Sequence, residues 1–508
     1  MEKRLVIAIG LSLLVLLTWS ALVPKPQPVV TQRVNKELGS VSAPMPVNNI
    51  NLSQVIPRED KPIIYQQENL KAIFNESQAT LQKVIFTHYN NDELSLKYGF
   101  LLGDPSLVFK KGESTNNSIS FYAITPTQKI IKRFIFHKSN YTITLETIIT
   151  NNSTIPISMN IPILLGVLNF AHNNPQARYQ DLTVGLQEKT FHVNGKKDGQ
   201  FLDIKFFGLR DQYFAAIIEP DFEQANAFIK KLNNQESEVG INVQTVNISP
   251  NQQIGHLYKI YLGPQDLTII NKTNPLWGNI VHFGRFDFIS QVLLQTLNFL
   301  YRILHNWGLA IIFLSLLVYM ILYPLSLKQM RSMKEMQALQ PKIELLRQTY
   351  KDNPQKLNKE IMGLYKEHNV NPLGGCLPLL LQMPIFFALY NALIRSIALK
   401  GARFLWIKDL SKPDNLWTFP FSWLKLPIIG NELNILPIAM AIGMFFQQKI
   451  SSASSTGITT EQQRMMLVIM PIMFCLIFYR MPSGLVLYWF VNSTLMLFFQ
   501  LRLNRAKA

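Results

Sequence analysis

The feature that most constrains this chain is an uncharged apolar segment at 371–390 that contains three prolines. The uncharged sequence around it runs from 369 to 394, which as a helix of about 1.5 Å per residue exceeds a hydrocarbon core of roughly 30 Å. Proline removes a backbone donor, so neighbouring helices, side chains or water must satisfy the carbonyls that it frees. The segment therefore predicts a membrane helix that packs within a bundle, with Gln382 near its middle.

Composition supports a membrane protein with a soluble part. The 508 residues are 48% hydrophobic with a net charge of +17, and long uncharged runs are concentrated after residue 305. Much of the basic excess lies beside these runs, where Lys and Arg mark cytoplasmic loops, so we predict no direct binding of nucleic acid. The two cysteines lie far apart in apolar runs, which predicts neither a disulfide framework nor a metal site. We also expect no cofactor.

The N-terminal region predicts an anchor followed by a linker. Residues 1–23 carry two basic residues and then an uncharged run, which fits a signal-anchor transmembrane helix or a cleaved signal peptide. We favour the uncleaved anchor because the run is nearly long enough to span and lacks a clean small-x-small cleavage site before Pro24. Residues 24–60 are rich in proline and lack apolar periodicity, which is typical of a linker.

Residues 61–285 predict a single antiparallel β-sandwich. Apolar and polar residues alternate at 140–149, a short β-rich run follows at 258–262, and Asn and Gly turns separate many such runs. A sugar-processing enzyme is one alternative for such a domain, and it would need a pocket of convergent carboxylate and His side chains. The six histidines of this region show no metal-ligand spacing, which favours structural roles.

The remaining chain predicts five further membrane spans. The segment between the second and third spans holds nine Lys or Arg against five acidic residues, which places it, and both termini, in the cytoplasm. The predicted elements are an interfacial amphipathic helix (286–304), transmembrane helix 2 (305–327), a cytoplasmic helical hairpin (328–370), transmembrane helix 3 (371–394), a periplasmic loop (395–432), transmembrane helices 4 (433–449), 5 (465–480) and 6 (481–501), and a basic cytoplasmic tail (502–508).

The fourth and fifth uncharged runs, 433–448 and 465–479, are short for a bilayer. As helices they reach roughly 24 and 22 Å, less than a hydrocarbon core of roughly 30 Å. Such a mismatch predicts snorkelling of flanking residues or local thinning of the bilayer.

Several ordered motifs in the membrane part resemble the YidC membrane protein insertases, which belong to the wider Oxa group. The motifs are Tyr323-Pro324-Leu325, the Leu-Gln-Pro-Lys-Ile run at 339–343, Asn-Pro-Leu-Gly-Gly-Cys-Leu-Pro at 371–378, Gln-Met-Pro-Ile-Phe at 382–386 and Pro-Ser-Gly-Leu-Val-Leu-Tyr at 482–488. The resemblance implies a multi-domain membrane protein of Gram-negative type. Its expected fold is an α-helical bundle of five core transmembrane helices plus an N-terminal signal anchor, with an antiparallel β-sandwich periplasmic domain.

The resemblance also implies a site and partners. The hydrated, cytoplasm-facing groove is expected to be lined by Ser315, Gln382 and Trp489, and a hydrophobic slide to include Met383, Phe386 and Ile477. The implied function is that of a membrane protein insertase and chaperone, not an enzyme, in the bacterial inner membrane. Its implied partners are nascent integral membrane proteins, membrane lipid and the Sec translocon, with the ribosome and the signal recognition particle receptor as further candidates at the cytoplasmic loops.

One position departs from the family pattern. The family places an arginine four residues before the Tyr-Pro pair, and this chain has Tyr319 there. We include Tyr319 in the groove because its hydroxyl can still donate a hydrogen bond. Arg395 is the nearest basic residue, but it follows the third span and is expected to snorkel to the outer interface. The main alternative function is a channel or secondary transporter, which would predict inverted repeats and paired ionisable residues in the spans.

Overall fold

A computed structural model of the chain describes residues 60, 62–104, 107–138, 140–243, 245–351, 353–368, 377–419, 431–453 and 461–505. The predicted signal anchor at 1–23, nearly all of the predicted linker and the first residues of the third span lie outside these ranges. The described residues divide into two compact units, one within 60–211 and 215–263 and one within 212–214 and 264–505.

The first unit is an antiparallel β-sandwich. Its eight-stranded sheet has the order β1 (Ile63–Gln66), β2 (Leu70–Asn75), β3 (Thr80–Phe86), β4 (Asp92–Gly99), β10 (Ile163–Asn169), β17 (Glu236–Asn242), β16 (Asn226–Lys231) and β13 (Gly199–Phe201). Its nine-stranded sheet has the order β12 (Thr190–Val193), β11 (Asp181–Gly185), β14 (Phe206–Arg210), β15 (Phe214–Pro220), β19 (Gln253–Pro264), β8 (Thr142–Asn151), β7 (Gln128–Phe136), β6 (Ser118–Ile124) and β5 (Lys110–Ser114). Two short strands, β9 (Ile157–Met159) and β18 (Val246–Ile248), form a separate pair.

Alternating sequence builds the core of the sandwich. Strands β7 and β8 pair antiparallel from Gln128 opposite Asn151 to Phe136 opposite Ile143, and every second residue of each strand is buried. The two sheets pack through aromatic side chains, since the Phe74 ring of β2 lies 4.9 Å from the Phe134 ring of β7. The prediction of an antiparallel β-sandwich is confirmed.

The second unit is helical. Its helices are α1 (Leu267–Thr273), α2 (Asp287–Leu304), α3 (Trp307–Ala338), α4 (Gln340–Thr349), α5 (Pro354–Glu367), α6 (Leu377–Ile394), α7 (Ile435–Ala453), α8 (Glu461–Phe478) and α9 (Ser483–Arg505). Short 3₁₀ helices lie at Pro275–Ile280, Gly284–Phe286 and Ile397–Leu399, and Trp417–Thr418 (β20) pairs with Glu432–Leu433 (β21). The unit starts at Pro264, before the predicted boundary at 285, because 264–285 folds as helical turns around the buried Trp277.

Length and composition mark two helices in the described part of the chain as able to cross a membrane, Trp307–Leu327 and Ser483–Arg502. Shorter apolar helices lie at Gln382–Ile394, Ile435–Ile450 and Leu467–Phe478. Helices α7 and α8 extend past their uncharged runs to 19 and 18 residues, which is about 27 to 29 Å of helix. Their polar ends therefore supply the length that the apolar runs lack, while the predicted spans and their boundaries stay predictions.

Proline positions follow the backbone rules of a helix. Pro378 lies in the first turn of α6, where no intrahelical hydrogen bond is lost, whereas Pro384 lies inside the helix. Pro372, the first of the three prolines, falls outside the described residues. The backbone disturbance within the described part of α6 therefore comes from Pro384, one turn from Phe387 and Ala388.

The hairpin of α4 and α5 packs on itself. Asn353 caps α5 by accepting a hydrogen bond from the Lys356 backbone N–H at 3.1 Å, and Pro354 occupies the first helical position. Leu339 and Ile343 form a small core with three half-buried apolar residues of α5: Ile361, Leu364 and Tyr365. Leu345 and Met362 remain exposed, so apolar surface is also available on the hairpin.

Candidate functional site

The candidate site is organised along α9, because this helix contacts residues of four others. Its N-terminus is held by Ser483, whose backbone N–H donates to the Lys412 carbonyl at 2.8 Å and whose hydroxyl donates to the Asp409 carbonyl at 3.2 Å. The first turns, Leu485 to Tyr488, are buried in the central apolar cluster of the helical unit. Side chains further along α9 then meet polar and aromatic residues of α3, α6, α7 and α8.

A series of residues spaced four apart on α9 carries three polar side chains, at 488, 492 and 500, with Met496 between the last two. Gln382 of α6 donates to the Tyr488 hydroxyl at 2.8 Å. Asn492 follows on the same face, because residues four apart are neighbours on a helix, and Gln500 lies two further turns along. Between them, Met496 accepts a hydrogen bond at its Sδ from Gln447 of α7 at 2.9 Å. The face is polar but uncharged.

Two polar atoms of this region have no hydrogen-bond partner among the described residues although they are buried. They are the Tyr319 hydroxyl and the Gln500 side-chain oxygen. A buried polar group without a partner costs about 1–3 kcal/mol. Such atoms are tolerated where an exchangeable partner, such as water or a polar group of a bound molecule, can occupy the space beside them.

Tyr319 lies on α3 against the far part of α9. Its side chain is only 6% exposed, and its ring stacks on the Phe499 ring with centroids 5.2 Å apart. No Asp, Glu, Lys or Arg stands in the uncharged runs 307–327, 377–394, 433–448, 465–479 and 481–501. The position at which the family pattern has arginine is thus filled by a neutral, aromatic and buried side chain.

Ser315, one turn before Tyr319, is fully buried. Its hydroxyl donates to the Ile311 carbonyl of its own helix at 2.8 Å. The hydrogen-bonding capacity of the hydroxyl is therefore used within its own helix. The small Ser315 side chain allows close helix packing at this level of the bundle. Its assignment to the groove stays a prediction.

The predicted slide residues differ in their surroundings. Ile477 is 51% exposed and Met383 is half-buried, whereas Phe386 is 8% exposed. The Phe386 ring contacts Trp489 and Phe478, with centroids 5.2 and 5.6 Å apart. Phe386 therefore belongs to an aromatic cluster that reaches Trp489, and its role in sliding stays a prediction. Its neighbour Phe387 is the more exposed of the two, at 42%.

The structure joins some predicted groove residues and separates others. Gln382 is bound to Tyr488, which neighbours Trp489, while Tyr319 contacts Phe499. Phe499 lies eleven positions after Tyr488, or about 16 Å along the axis of α9. The candidate site is consequently an extended polar path along one helix and not a compact pocket.

The β-sandwich holds buried ionisable groups that bear on the enzyme alternative. Burial raises the pKa of the Glu238 carboxyl, an effect opposed by Lys230 at 3.1 Å. Burial also lowers the pKa of His256, whose ring lies 4.9 Å from that of Phe222. Glu238 lies on β17 of one sheet and His256 on β19 of the other. Among the described residues no group of three or more His, Cys, Asp or Glu could hold a metal ion.

Comparison with known proteins places these features in a family. The sequence pattern described as "60Kd inner membrane protein" matches residues 299–508, and that described as "YidC periplasmic domain" matches residues 109–296. The "Membrane protein insertase YidC" of Geotalea daltonii is 30% identical over an alignment that covers 100% of this chain and 99% of that protein. The chain belongs to the YidC membrane protein insertase family. Family membership confirms the resemblance inferred from the motifs.

Solved YidC structures are also similar to this chain. An active YidC insertase whose first transmembrane domain is resolved shows 20% identity and a TM-score of 0.41, with 88% of this chain and 93% of that chain covered. YidC from Thermotoga maritima shows 17% identity and a TM-score of 0.32, with 88% and 98% covered.

Sequence reasoning did not identify several residues of the polar path. Tyr488 was part of a matching motif but received no role, and Asn492, Gln500 and Gln447 were not singled out. Their signal was present, because polar residues at 488, 492 and 500 recur at intervals of four and eight residues along an otherwise apolar helix. Predicting their role would have required placing the polar residues of the last predicted span, in addition to Trp489, in the groove.

Proposed function

We propose that this chain inserts nascent membrane proteins into the bacterial inner membrane, with its β-sandwich in the periplasm and both termini in the cytoplasm. The observation that carries the proposal is the polar path along α9, where the buried Tyr319 hydroxyl and Gln500 side-chain oxygen have no partner among the described residues. Family membership supports it, because the relatives carry the name membrane protein insertase.

The proposed mechanism uses binding alone, without nucleotide, metal or cofactor. The polar flank of a nascent protein enters the path from the cytoplasm and replaces water beside the unpartnered atoms, which lowers the cost of taking polar groups into hydrocarbon. Its apolar segment then moves along the outside of α6 and α8 into lipid. Burial of apolar surface at roughly 25 cal/mol per Å² drives this last step.

The exposed surface of α8 supports this direction of exit. Its outer side presents branched aliphatic side chains, with Ile472 at 54% and Ile477 at 51% exposure. Phe387 of α6 adds an exposed ring at 42%. A surface of this kind matches both lipid chains and the apolar helix of a client. Partnership with the Sec translocon, and ribosome or receptor contacts at the α4–α5 hairpin, belong to the same proposal.

The absence of charge in the path leads to a hypothesis about clients. Arginine at position 319 would attract acidic tails, whereas Tyr319 offers a single hydroxyl. We therefore expect this insertase to depend on hydration and apolar sliding more than on charge attraction. Acidic tails should gain no advantage over neutral ones.

Reconstitution tests both the function and the hypothesis. Full-length chain in liposomes should protect an added single-span client from external protease, and empty liposomes should not. A Tyr319→Arg variant should raise the insertion of a client with an acidic tail about fivefold or more and leave its neutral-tailed counterpart unchanged. Equal effects on both tails would contradict the hypothesis. Depletion of this protein from cells gives a second test. If inner-membrane proteins were still inserted correctly but a solute flux were lost, a transporter function would replace the insertase function.

A further inference from the structure

A cavity of about 450 Å³ lies in the helical unit beside α2, away from the polar path. Its walls come from α1, from α2 and from the turn after α6. Two hydrogen bonds fix these walls to each other: the Ser290 hydroxyl donates to the Ala388 carbonyl at 2.9 Å, and the Asn391 amide donates to the Phe283 carbonyl at 3.2 Å. The cavity therefore lies between helices that are packed and hydrogen-bonded to each other.

The charges in this cavity are mainly positive. Lys272 and Arg395 line it, and the one acidic residue of the lining is Asp266. The Asp266 carboxylate caps α1, accepting from the Thr268 backbone N–H at 2.7 Å. Lys272 is exposed and has no carboxylate within 4 Å among the described residues. A cation is thus available at the mouth of the cavity.

Amide side chains add neutral donors to the same wall. Gln295 and Asn298 of α2 line the cavity, and residues three and four apart share one face of a helix. Neither side chain has a hydrogen-bond partner among the described residues. Two amide groups and an ammonium group converging on one space match the oxygen atoms of a phosphate group.

The face of α2 next to this polar wall is apolar and exposed. Phe288 is 79% exposed, Val292 45%, Phe299 60% and Ile303 60%. With about 100° per residue, this stripe lies roughly 80° around the helix from the stripe of Gln295 and Asn298. The third face of the helix, with Leu293 and Leu297, packs into the core.

The geometry points to a phospholipid site in which Lys272, Gln295 and Asn298 hold the headgroup phosphate while the acyl chains lie on the exposed stripe of α2. An anionic, oxygen-rich head joined to an apolar tail is the ligand that fits a basic polar cavity next to an apolar stripe on one helix. Helix α2 leads into α3, the proposed second span, which puts the cavity at the level of the headgroups. The site would dock α2 to the outer membrane surface independently of the polar path.

Lipid titration of the full-length protein in detergent, followed by native mass spectrometry, tests the site. The probes are palmitoyl-oleoyl phosphatidylglycerol, the diacylglycerol with the same chains, glycerol 3-phosphate and inorganic phosphate. We expect phosphatidylglycerol to bind at least tenfold more tightly than the other three. Lys272→Gln should weaken its binding about tenfold, whereas Lys272→Arg should retain it. Lys408→Gln is the matched control, because Lys408 is an exposed lysine of the 395–419 loop outside the cavity lining.

Each contrary result would contradict one part of the proposed phospholipid site. Equal binding of the diacylglycerol would show that the phosphate is not recognised. If glycerol 3-phosphate or inorganic phosphate bound as tightly as phosphatidylglycerol, the ligand would be a soluble phosphate and not a membrane lipid. If Lys272→Gln and Lys408→Gln lost the same affinity for phosphatidylglycerol, the effect would come from surface charge in general, and the proposed site would be wrong. Because binding is read without a client protein, these outcomes are separate from the insertion assay.

Discussion

Two buried polar side chains, one in each unit of this molecule, are treated in opposite ways. In the β-sandwich, Lys132 is fully buried and its Nζ donates to the Ala79 and Phe100 carbonyls at 2.5 and 2.6 Å. In the helical unit, the buried Tyr319 hydroxyl has no partner among the described residues. The difference indicates that Lys132 fixes the backbone around it, whereas the Tyr319 hydroxyl stays available for exchange.

The partners of Lys132 explain why a lysine side chain is kept in the sandwich core. Both carbonyls belong to residues with left-handed backbone, Ala79 with φ of 48° and Phe100 with φ of 60°. These conformations are unfavourable for residues with a Cβ atom, so the surrounding structure must hold them. The Lys132 ammonium also lies 5.4 Å from the centre of the Phe134 ring. One side chain on β7 therefore secures two turns of the facing sheet.

The largest effect should come from truncating this lysine. Lys132→Ala leaves two buried carbonyls without a donor and opens a cavity, and we expect it to lower the free energy of unfolding of the sandwich by about 3 kcal/mol or more. Hydrogen exchange of the β7 and β8 amides in increasing urea measures the change in the full-length protein. Lys129→Ala, an exposed lysine of the same strand, should change it by less than about 0.5 kcal/mol. A similar small change in both variants would mean that Lys132 does not hold the turns.

Per pH unit, a smaller effect should come from titration of the same lysine. Burial lowers the pKa of Lys132 to about 7, below the value near 10.4 expected in the unfolded chain. Between these values the unfolded chain binds more protons than the folded one, so stability should rise from about pH 7 to pH 10, by at most about 1.4 kcal/mol per pH unit. The same exchange measurement, corrected for intrinsic rates, should show this slope in the wild type and its loss in Lys132→Met. Parallel slopes in both proteins would assign the pH dependence to other groups.

The same contrast explains what the sequence could predict. Strict alternation predicted the strand that the structure has at Thr142–Asn151, and in β7 the inward register of Ile130 and Phe134 also includes Lys132. Period-2 patterning works there because one face of the strand is buried and the other is wet. The burial of Lys132 was therefore readable from the register, although its carbonyl partners were not.

Membrane helices give a weaker signal, since apolar side chains face both lipid and neighbouring helices. Phe386 and Phe387 are adjacent and chemically identical, yet they are 8% and 42% exposed. No periodicity distinguishes them before the positions of Trp489 and Phe478 are known. The predicted helices and motifs thus led to the family, while the contacts of Tyr319 with Phe499 and of Gln382 with Tyr488 depend on long-range packing.

The smallest effect on stability should come from the unpartnered hydroxyl itself. Tyr319→Phe removes a buried polar atom that the described chain leaves without a hydrogen bond, so stability should stay the same or rise by up to about 1 kcal/mol. Insertion of a client with a polar flank should nevertheless fall about threefold, because the hydroxyl is lost as an exchangeable partner. Thermal unfolding and protease protection in liposomes measure the two quantities. Tyr301→Phe is the control, since Tyr301 stacks on Trp307 with centroids 3.9 Å apart and lies outside the polar path. If Tyr319→Phe lowered stability and left insertion unchanged, Tyr319 would resemble Lys132 as a structural group, and the contrast between the two side chains would fail.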